Sequence, residues 1–337
     1  MIAALCESYG PPENLTFREL PDPVPGPGEV LVAPSRVALN FFDTLIIANK
    51  YQLKPALPFS PGGEFCGWVV ALGEGVSGVA PGQRVAGYCS YGAARSRLVV
   101  PADSLTPVPD SLDDDHAAGL FITYGTTLYA LRQRAQLREG ETLAVLGASG
   151  GVGLTAVEIG RAMGAHVIAC ASSSEKLDFA RTFGAQQGID YAAEDLKEAL
   201  KRATDGRGVD CVYDAIGGDF SEKALRAMAW NGRFLVVGFA AGEIPKIPLN
   251  LTLLKGCSII GVYWGEFVKR EPAAHRQNMA QIFDWAARKK ISAHVHAVLP
   301  LERIAEALNM LKERKAQGKI VLAVPQRSGE TTGSRID

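Results

Sequence analysis

The chain has 337 residues, with 35 basic and 36 acidic side chains and a formal net charge of −1. This length is sufficient for two domains and a large buried core. The balanced charge gives no sign of a nucleic-acid-binding surface or a polybasic membrane anchor. Residues 1–7 lack a basic leader and an apolar signal core, and the longest apolar runs are too short to span a bilayer. We therefore expect a cytoplasmic protein without nucleic-acid or membrane partners.

The six cysteines are scattered along the chain without close pairing. Nothing resembles the Cys-x-x-Cys spacing of a structural zinc site, and a chain of this size does not need a disulfide framework. We expect free, buried thiols and no metal ligands among them.

The first third of the chain is predicted to be rich in β-strands and irregular in its connections. Proline and glycine cluster in turns at 21–28, 61–63 and 81–82. Strand-like apolar runs lie between them, at Val30–Ala33 and Cys66–Leu72.

From about Ala117 the pattern changes to alternating helices and strands, which predicts a parallel sheet with helices on both faces. The predicted strands after the glycine-rich region described next are Gly188–Asp190, Val209–Ala215, Arg233–Phe239 and Ser258–Tyr263. The predicted helices between them are Glu175–Phe183, Leu196–Ala203 and Phe220–Ala229.

The most informative segment is residues 141–154. An apolar, strand-like run ends at Gly147, Gly150 and Gly153 follow at three-residue steps, and a helical pattern begins at once. A second strand, His166–Ala171, comes after the helix. A strand, a glycine-rich turn, a helix and a strand form the unit that binds the pyrophosphate of a dinucleotide at the helix N-terminus. The sequence therefore predicts a dinucleotide site of the Rossmann type.

The end of the second strand indicates which dinucleotide is bound. A site for NAD usually carries an acidic side chain here, to bind the ribose 2′-hydroxyl. This chain has Ser172, Ser173 and Ser174 instead, followed by Glu175 and Lys176. Hydroxyl groups and a lysine suit a 2′-phosphate, whereas Glu175 also fits a first-turn helix charge. We favour NADPH; the alternative is that the serines only cap the helix.

After Tyr263 the sequence predicts a helix at 273–289, a strand at 296–299, a helix at 301–315 and a strand at 319–324. These elements do not extend the nucleotide-binding pattern, so we expect them to return to the first domain. The polar tail, residues 326–337, is expected to be frayed and flexible.

The chain as a whole resembles the zinc-independent quinone oxidoreductases of the medium-chain dehydrogenase/reductase superfamily. The matching segments run almost from end to end; they are Val37–Asp43, Phe59–Gly67, Gly147–Gly153, Asp214–Gly218, Gly232–Gly238, Leu253–Gly265 and Gly318–Leu322. The resemblance implies an α/β fold, with a Rossmann doubly wound parallel sheet and a β-rich GroES-like catalytic domain. It places the catalytic domain at 1–122 and 263–325 and the NADPH-binding domain at 123–262.

The resemblance also implies the cofactor residues. Ser149, Gly150, Gly151 and Val152 form the loop around the pyrophosphate, and Thr127 lies near the nicotinamide. The other expected cofactor contacts are Ser173, Lys176 and Tyr191 at the 2′-phosphate, with Phe239, Ala241, Trp264 and Lys319 elsewhere along the cofactor.

Asn40, Asp43 and Tyr51 are the candidate catalytic residues on the substrate side. Asn40 is expected to bind the acceptor oxygen, or a water that does. Tyr51 is expected to donate a proton or to line the pocket, although packing at the domain edge explains an aromatic residue equally well. For Asp43 a role in anchoring a helix start or a loop is the stronger interpretation.

Zinc alcohol dehydrogenases of the same superfamily have cysteine where this chain has Asn40, and Gly-His-Glu where it has Gly62, Gly63 and Glu64. Without a Lewis acid there is no simple way to lower the pKa of an alcohol, so we expect the reduction of a quinone or conjugated enone without metal. The alternatives are a 2-enoyl thioester or enone reductase, a non-catalytic crystallin or RNA-binding relative, and a zinc alcohol dehydrogenase. The resemblance further implies a homodimer, for which 258–263 is the expected contact segment.

Overall fold

The computed structural model describes residues 1–326. Its fifteen strands, in chain order, are β1 (Ile2–Leu5), β2 (Thr16–Glu19), β3 (Glu29–Leu39), β4 (Glu64–Leu72), β5 (Arg84–Tyr88), β6 (Leu98–Pro101), β7 (Leu105–Pro107), β8 (Thr142–Leu146), β9 (His166–Ala171), β10 (Gln187–Asp190), β11 (Val209–Asp214), β12 (Met228–Val236), β13 (Ser258–Gly261), β14 (Val295–Pro300) and β15 (Lys319–Ala323).

The eleven α-helices of the described residues are α1 (Phe41–Ile47), α2 (Asp114–Ala117), α3 (Ile122–Leu128), α4 (Gly151–Ala162), α5 (Ser174–Thr182), α6 (Leu196–Arg202), α7 (Asp219–Arg226), α8 (Asn250–Lys255), α9 (Trp264–Arg270), α10 (Pro272–Ala287) and α11 (Ile304–Lys312). A π-helical stretch, Tyr129–Arg134, continues α3, and short 3₁₀ turns occupy Pro12–Asn14, Ala102–Ser104 and Leu301–Arg303.

The chain divides into two compact units. Unit 1 consists of residues 1–122 and 279–287, together with the described residues from 293 onward. Unit 2 consists of residues 123–278 and 288–292. The first division lies at the residue expected from the sequence, whereas unit 2 continues sixteen residues beyond the expected limit of 262.

The longer extent of unit 2 has a packing reason. In α9, Phe267 stacks on Tyr129 with ring centroids 4.1 Å apart, and Trp264 meets the ring of His275 edge-on at 5.5 Å. These buried aromatic contacts attach α9 and the start of α10 to unit 2. Aromatic rings bury a large apolar area and keep such short helices in place. The expectation that everything after Tyr263 returns to the first domain therefore differs from the structure.

Unit 1 is built on a largely antiparallel sheet with the strand order β14-β15-β3-β4-β5-β7, and β6 also pairs with β3. The central strand β3 is buried along most of its eleven residues. Beside it, β15 runs antiparallel with Ile320 opposite Leu39, and β4 runs antiparallel with Glu64 opposite Ala38. This register brings the C-terminal end of β3 and the N-terminal ends of β4 and β15 together.

Unit 2 contains a six-stranded, all-parallel sheet with the order β10-β9-β8-β11-β12-β13. This is the doubly wound order in which a dinucleotide binds where the strand order reverses, beside the first strand. Here the first strand is β8, and its five residues are all buried. The expected Rossmann sheet is thus present in full.

One strand of the parallel sheet differs from its expected limits. β12 starts at Met228 and ends at Val236, whereas the sequence predicted 233–239. Its pairing with β11 shifts register between Val209 and Cys211, so that Met228 pairs before the irregularity and Arg233 after it. Because an irregular start interrupts the strand pattern, the sequence suggested that helix α7 continued to residue 229.

The expected tail, 326–337, lies outside the described residues except for Gln326. The side-chain amide of Gln326 donates hydrogen bonds to the carbonyl oxygens of Pro34 at 2.8 Å and Val324 at 3.1 Å.

Candidate active site

The predicted site residues fall into two groups. Unit 1 contains Asn40, Asp43, Tyr51 and Lys319. Unit 2 contains the other predicted cofactor residues, which are Thr127, Ser149, Gly150, Gly151, Val152, Ser173, Lys176, Tyr191, Phe239, Ala241 and Trp264.

The glycine-rich loop of unit 2 turns directly from β8 into α4. Gly147 directly follows the strand and has φ +75°, a left-handed conformation that side-chain-bearing residues rarely adopt. The N–H of Gly150 donates to the carbonyl of Gly147 at 3.0 Å and closes the turn. Gly150 is also the N-cap of α4, and no side chain caps this helix start. The first N–H groups of a twelve-residue helix are therefore left for a ligand.

Gly153 allows the loop and the helix to approach each other closely. A Cβ atom at this position would clash with the carbonyl oxygen of Gly147, whereas a Cβ at Gly150 would lie 3.5 Å from the same atom, an ordinary contact. The cradle is thus made of backbone, with room for a phosphate group at the helix start. It fits the pyrophosphate of a dinucleotide.

Thr127 is fully buried below this loop. Its hydroxyl lies 2.7 Å from the hydroxyl of Thr155 and 2.9 Å from that of Tyr213, and Thr155 also donates to the carbonyl of Val152 at 2.9 Å. This hydroxyl cluster ties α3 and β11 to the first turn of α4. Sequence reasoning missed Thr155 and Tyr213; the only available signal was a polar residue on an otherwise apolar helix and strand.

The residues predicted at the 2′-phosphate lie at the ends of β9 and β10. Ser173 is the N-cap of α5 and accepts from the N–H of Lys176 at 3.4 Å, while the ammonium of Lys176 donates to the hydroxyl of Ser172 at 3.0 Å. The N–H of Tyr191 donates to the carbonyl of Ala171 at 3.0 Å, which holds it beside the end of β9. Both the capping interpretation and the phosphate-binding one are compatible with this arrangement. The hydroxyls of Ser172 and Ser174 are exposed there, and so is the carboxylate of Glu175.

Phe239 and Ala241 lie in the loop after β12, which packs on the loop after β11. Ala241 donates its N–H to the carbonyl of Ile216 at 2.8 Å, and a Cβ at Gly217 would lie 2.9 Å from the ring of Phe239. Phe239 remains 39% exposed. Its ring therefore forms part of the open surface at the carboxyl ends of the strands, where dinucleotides bind.

Trp264 is buried at the start of α9, and its indole lies over Gly125 of α3. A Cβ at Gly125 would lie 2.8 Å from the Nε1 atom of Trp264, so only glycine allows this approach.

In unit 1, Asn40, Glu64 and Lys319 form a buried polar cluster, called here the Lys319 cluster. The ammonium of Lys319 donates to Oδ1 of Asn40 at 2.7 Å and to Oε1 of Glu64 at 2.5 Å. Nδ2 of Asn40 donates to the same Oε1 atom at 2.9 Å. Asn40 is 6% exposed, Lys319 is 4% exposed and Glu64 is completely buried. A buried ion pair of this kind requires hydrogen bonds to all of its charged atoms.

The second carboxylate oxygen of Glu64 is also hydrogen-bonded. Its Oε2 accepts the N–H groups of Phe121 at 2.9 Å and Ile122 at 2.8 Å, at the end of the α2–α3 connection. Sequence reasoning noted Glu64 only as part of a motif and did not select it as a site residue. The signal available in the sequence was that Glu64 follows two glycines and begins an apolar strand. A glutamate buried at such a position requires a cationic partner.

Asp43 is bonded to the backbone beside the Lys319 cluster. Its Oδ2 accepts the N–H of Asn40 at 2.7 Å and its Oδ1 accepts the N–H of Gly62 at 3.0 Å. Burial raises the pKa of Asp43 to about 7, against the opposing effect of these two N–H donors and of Lys319. Because both oxygens are occupied, the geometry suits the anchoring role that the sequence favoured.

Tyr51 is partly buried and packs against the core of unit 1. Its ring stacks on that of Phe42, with centroids 5.6 Å apart and an interplanar angle of 25°. Phe42 follows Asn40 by two residues, so Tyr51 is placed on the same part of unit 1 as the Lys319 cluster.

The donor set of this region does not suit zinc. Asn40 stands where the resemblance to zinc-dependent members of the superfamily expects a cysteine ligand. A Cβ at Gly63 would lie 3.0 Å from the ring of Phe42 and 3.1 Å from Ile122, so a histidine there would require these side chains to shift. Burial raises the pKa of the Cys89 thiol to about 12, which disfavours a thiolate ligand. Within residues 1–326, no three His, Cys, Asp or Glu side chains converge as metal ligands.

Two family models match the chain. The one described as "Alcohol dehydrogenase GroES-like domain" covers residues 26–110, and the one described as "Zinc-binding dehydrogenase" covers residues 151–287. The "Zinc-binding dehydrogenase" match does not include Asn40, Gly63 or Glu64.

The described residues contain no helix that is both long enough and apolar enough to cross a membrane.

Similar proteins cover almost the whole chain. The quinone oxidoreductase-like protein 2 homolog of Nematostella vectensis is 37% identical over 96% of this chain and 89% of its own length. The quinone oxidoreductase of Pseudomonas aeruginosa is 34% identical over 94% of this chain and 97% of its own. The crystal structure of Escherichia coli quinone oxidoreductase complexed with NADPH superimposes with a TM-score of 0.89 and 28% identity, over 96% of this chain and all of the other.

Proposed function

Because the chain belongs to the quinone-oxidoreductase-like branch of the medium-chain dehydrogenase/reductase superfamily, we propose that it is an NADPH-dependent enzyme that reduces a quinone without zinc. The observation that carries this proposal is the Lys319 cluster. At the position where zinc-dependent relatives hold a metal, this chain has a buried ammonium bonded to Asn40 and Glu64. Its acceptor must therefore take a hydride without a Lewis acid, as quinones do.

Unit 2 supplies the cofactor site of this proposal. The backbone N–H groups at Gly150, Gly151 and Val152 bind the pyrophosphate, and Ser173 and Lys176 bind the 2′-phosphate. When bound, NADPH supplies a hydride to the acceptor, and a proton from solvent completes the hydroquinone. The remaining cofactor contacts are assigned to Thr127, Ser149, Tyr191, Phe239, Ala241 and Trp264.

Unit 1 supplies the acceptor side. Asn40 donates a hydrogen bond to the acceptor oxygen, Tyr51 lines the pocket, and Asp43 holds the backbone of Asn40 in place. Charge that develops on the acceptor oxygen is stabilised by a donor that is already oriented, since no reorganisation is then needed during the reaction. The protein supplies orientation and a dry site, and the cofactor supplies the reducing equivalents.

The test is NADPH oxidation by chelator-treated protein, with an ortho-quinone and an α,β-unsaturated thioester assayed in parallel. The proposal expects turnover of the quinone, with no stimulation by added zinc and a preference for NADPH over NADH. Turnover of the thioester alone would assign the protein to the enoyl reductases. Activity that appears only after zinc is added would contradict the metal-free mechanism.

A homodimer through the edge of the parallel sheet is also proposed. β13 pairs on one side with β12 and is the last strand of the sheet order, and Ile259 on it is 39% exposed. An unpaired edge with exposed apolar side chains favours pairing with a second copy. Sedimentation equilibrium at micromolar concentration tests this, and an Ile259→Lys variant should shift a dimer toward monomer.

A further inference from the structure

The side chain of Asn40 is held at both ends by charged partners. Its Oδ1 accepts from the ammonium of Lys319 at 2.7 Å, and its Nδ2 donates to Oε1 of Glu64 at 2.9 Å. An amide has an oxygen that only accepts and a nitrogen that only donates. The two charged neighbours therefore determine which way the carboxamide faces.

The reverse orientation of this amide is excluded by chemistry. An ammonium has no acceptor and an ionised carboxylate has no donor, so a flipped amide would place donor against donor and acceptor against acceptor. The ion pair is itself held rigidly. Glu64 is bonded to the N–H groups of Phe121 and Ile122, and a Cβ at Gly119 would lie 3.1 Å from Cγ of Lys319, so the lysine stem is packed against the Gly119 backbone.

The side-chain amide of Asn40 has one further hydrogen-bond donor. Nδ2 carries two protons, and within residues 1–326 only one of them has an acceptor, Oε1 of Glu64. The backbone of Asn40 is restrained as well, because its N–H donates to Asp43 at 2.7 Å. The second N–H of the amide is thus a single donor with a fixed direction.

We infer that Glu64 and Lys319 are positioning residues that act through Asn40, so that the site presents an N–H donor, and never a carbonyl oxygen, to the acceptor. This inference rests on the proposed function and narrows its substrate class. The preferred acceptor carries a hydrogen-bond-accepting oxygen whose negative charge increases during reduction, as a quinone carbonyl does. Neither Glu64 nor Lys319 needs to touch the substrate.

A charge-neutral double variant, Glu64→Gln/Lys319→Met, tests the orientation without leaving a buried charge unpaired. The oxygen of the new glutamine must stay on the N–H groups of Phe121 and Ile122, so its nitrogen faces Asn40. The carboxamide of Asn40 then turns over and presents oxygen where the natural protein presents N–H. We expect kcat/KM for an ortho-quinone to fall by about tenfold to a hundredfold, as for Asn40→Ala.

A triple variant that adds Asn40→Ala separates positioning from a general structural effect. If Glu64 and Lys319 act through Asn40, the double substitution has no further effect on kcat/KM once Asn40 is alanine. Equal losses with and without Asn40 would overturn the inference, and so would a double variant as active as the natural protein. Glu158→Gln, a buried glutamate of unit 2, is the matched control and should retain full activity.

Two binding measurements complete the test. The dissociation constant for NADPH should be unchanged in the double variant; weaker NADPH binding would instead make Lys319 a cofactor ligand and overturn the positioning role. Quinone affinity in the dead-end complex with NADP⁺, measured by calorimetry, should fall with kcat/KM.

The side-chain amide signal of Asn40 in a ¹H–¹⁵N spectrum, assigned by its loss in Asn40→Ala, reports the orientation without any turnover. The signal should shift strongly in the double variant, and an unshifted signal would contradict the reversed orientation of the Asn40 carboxamide. If the natural protein binds NADPH but reduces no quinone, the proposed function fails, whereas this spectrum still decides the orientation.

Discussion

The glycine-rich loop of unit 2 and the Lys319 cluster of unit 1 solve the same problem, the binding of a polar group, in opposite ways. The loop uses backbone N–H groups from one continuous segment, residues 147–153, and excludes side chains where chain segments meet. The cluster uses the side chains of Asn40, Glu64 and Lys319, which are hundreds of residues apart at the extremes, and buries their charges.

The difference has consequences for what each region tolerates. A backbone site is sensitive to added volume, because a single Cβ atom displaces a carbonyl group. A side-chain cluster is sensitive to the loss of one partner, because the remaining charge is buried without compensation. The two regions should therefore be destabilised by different kinds of substitution.

The largest effect is expected from Lys319→Met alone. It leaves the carboxylate of Glu64 buried with no cation among the described residues, and loss of one member of a buried pair costs about 3–5 kcal/mol of unfolding free energy. Urea unfolding measures this, with Glu64→Gln/Lys319→Met as the control that should recover most of the loss. A Lys319→Met protein as stable as the natural one would show that this ion pair does not stabilise the buried carboxylate of Glu64.

Gly153→Ala should have the next largest effect. Its Cβ clashes with the carbonyl of Gly147, and overpacking of this kind costs about 1–3 kcal/mol, although alanine is otherwise the better helix former. NADPH binding should weaken in parallel. Gly150→Ala is the matched control for stability, since its Cβ makes only an ordinary contact at 3.5 Å. Equal thermal stability of the two variants would refute the close-approach argument.

Asp43 should make stability depend on pH. Burial raises its pKa to about 7, so the folded protein keeps a proton that the unfolded chain releases near pH 4. The contribution of this group is fully present below pH 4 and is lost as the pH rises to 7. Asparagine does not titrate in this range. The melting temperature of the natural protein minus that of an Asp43→Asn variant should therefore fall from pH 4 to pH 7. A difference that stays constant between pH 4 and 7 would mean that the carboxylate is ionised throughout that range.

The smallest effect is expected at the 2′-phosphate. Lys176→Ala removes an exposed ammonium beside Ser172, and the affinity for NADPH should fall roughly tenfold while that for NADH and the melting temperature stay unchanged. Fluorescence titration with both cofactors measures this. Lys197→Ala, another surface lysine of unit 2, should leave both affinities unaltered. Equal losses for NADH and NADPH would remove Lys176 from the phosphate site.

Much of unit 2 was predictable from local patterns. The parallel sheet, the glycine turn and the limits of β9 and α5 follow from apolar periodicity, glycine spacing and a serine N-cap, all of which act within a few residues. The start of β12 was not predictable, because its register shift depends on how Val209 pairs with Met228. Likewise α9 joins unit 2 through the stacking of Phe267 on Tyr129, a contact between distant segments.

The amino-acid sequence by itself determined the fold class and the dinucleotide-binding turn. Only the tertiary structure decided that Lys319, expected along the cofactor, is bonded to Asn40 and Glu64. The physical reason is strand register. Residues 40, 64 and 319 meet because β3 lies between β4 and β15 with their ends aligned, and the burial of charge then requires that their side chains satisfy one another.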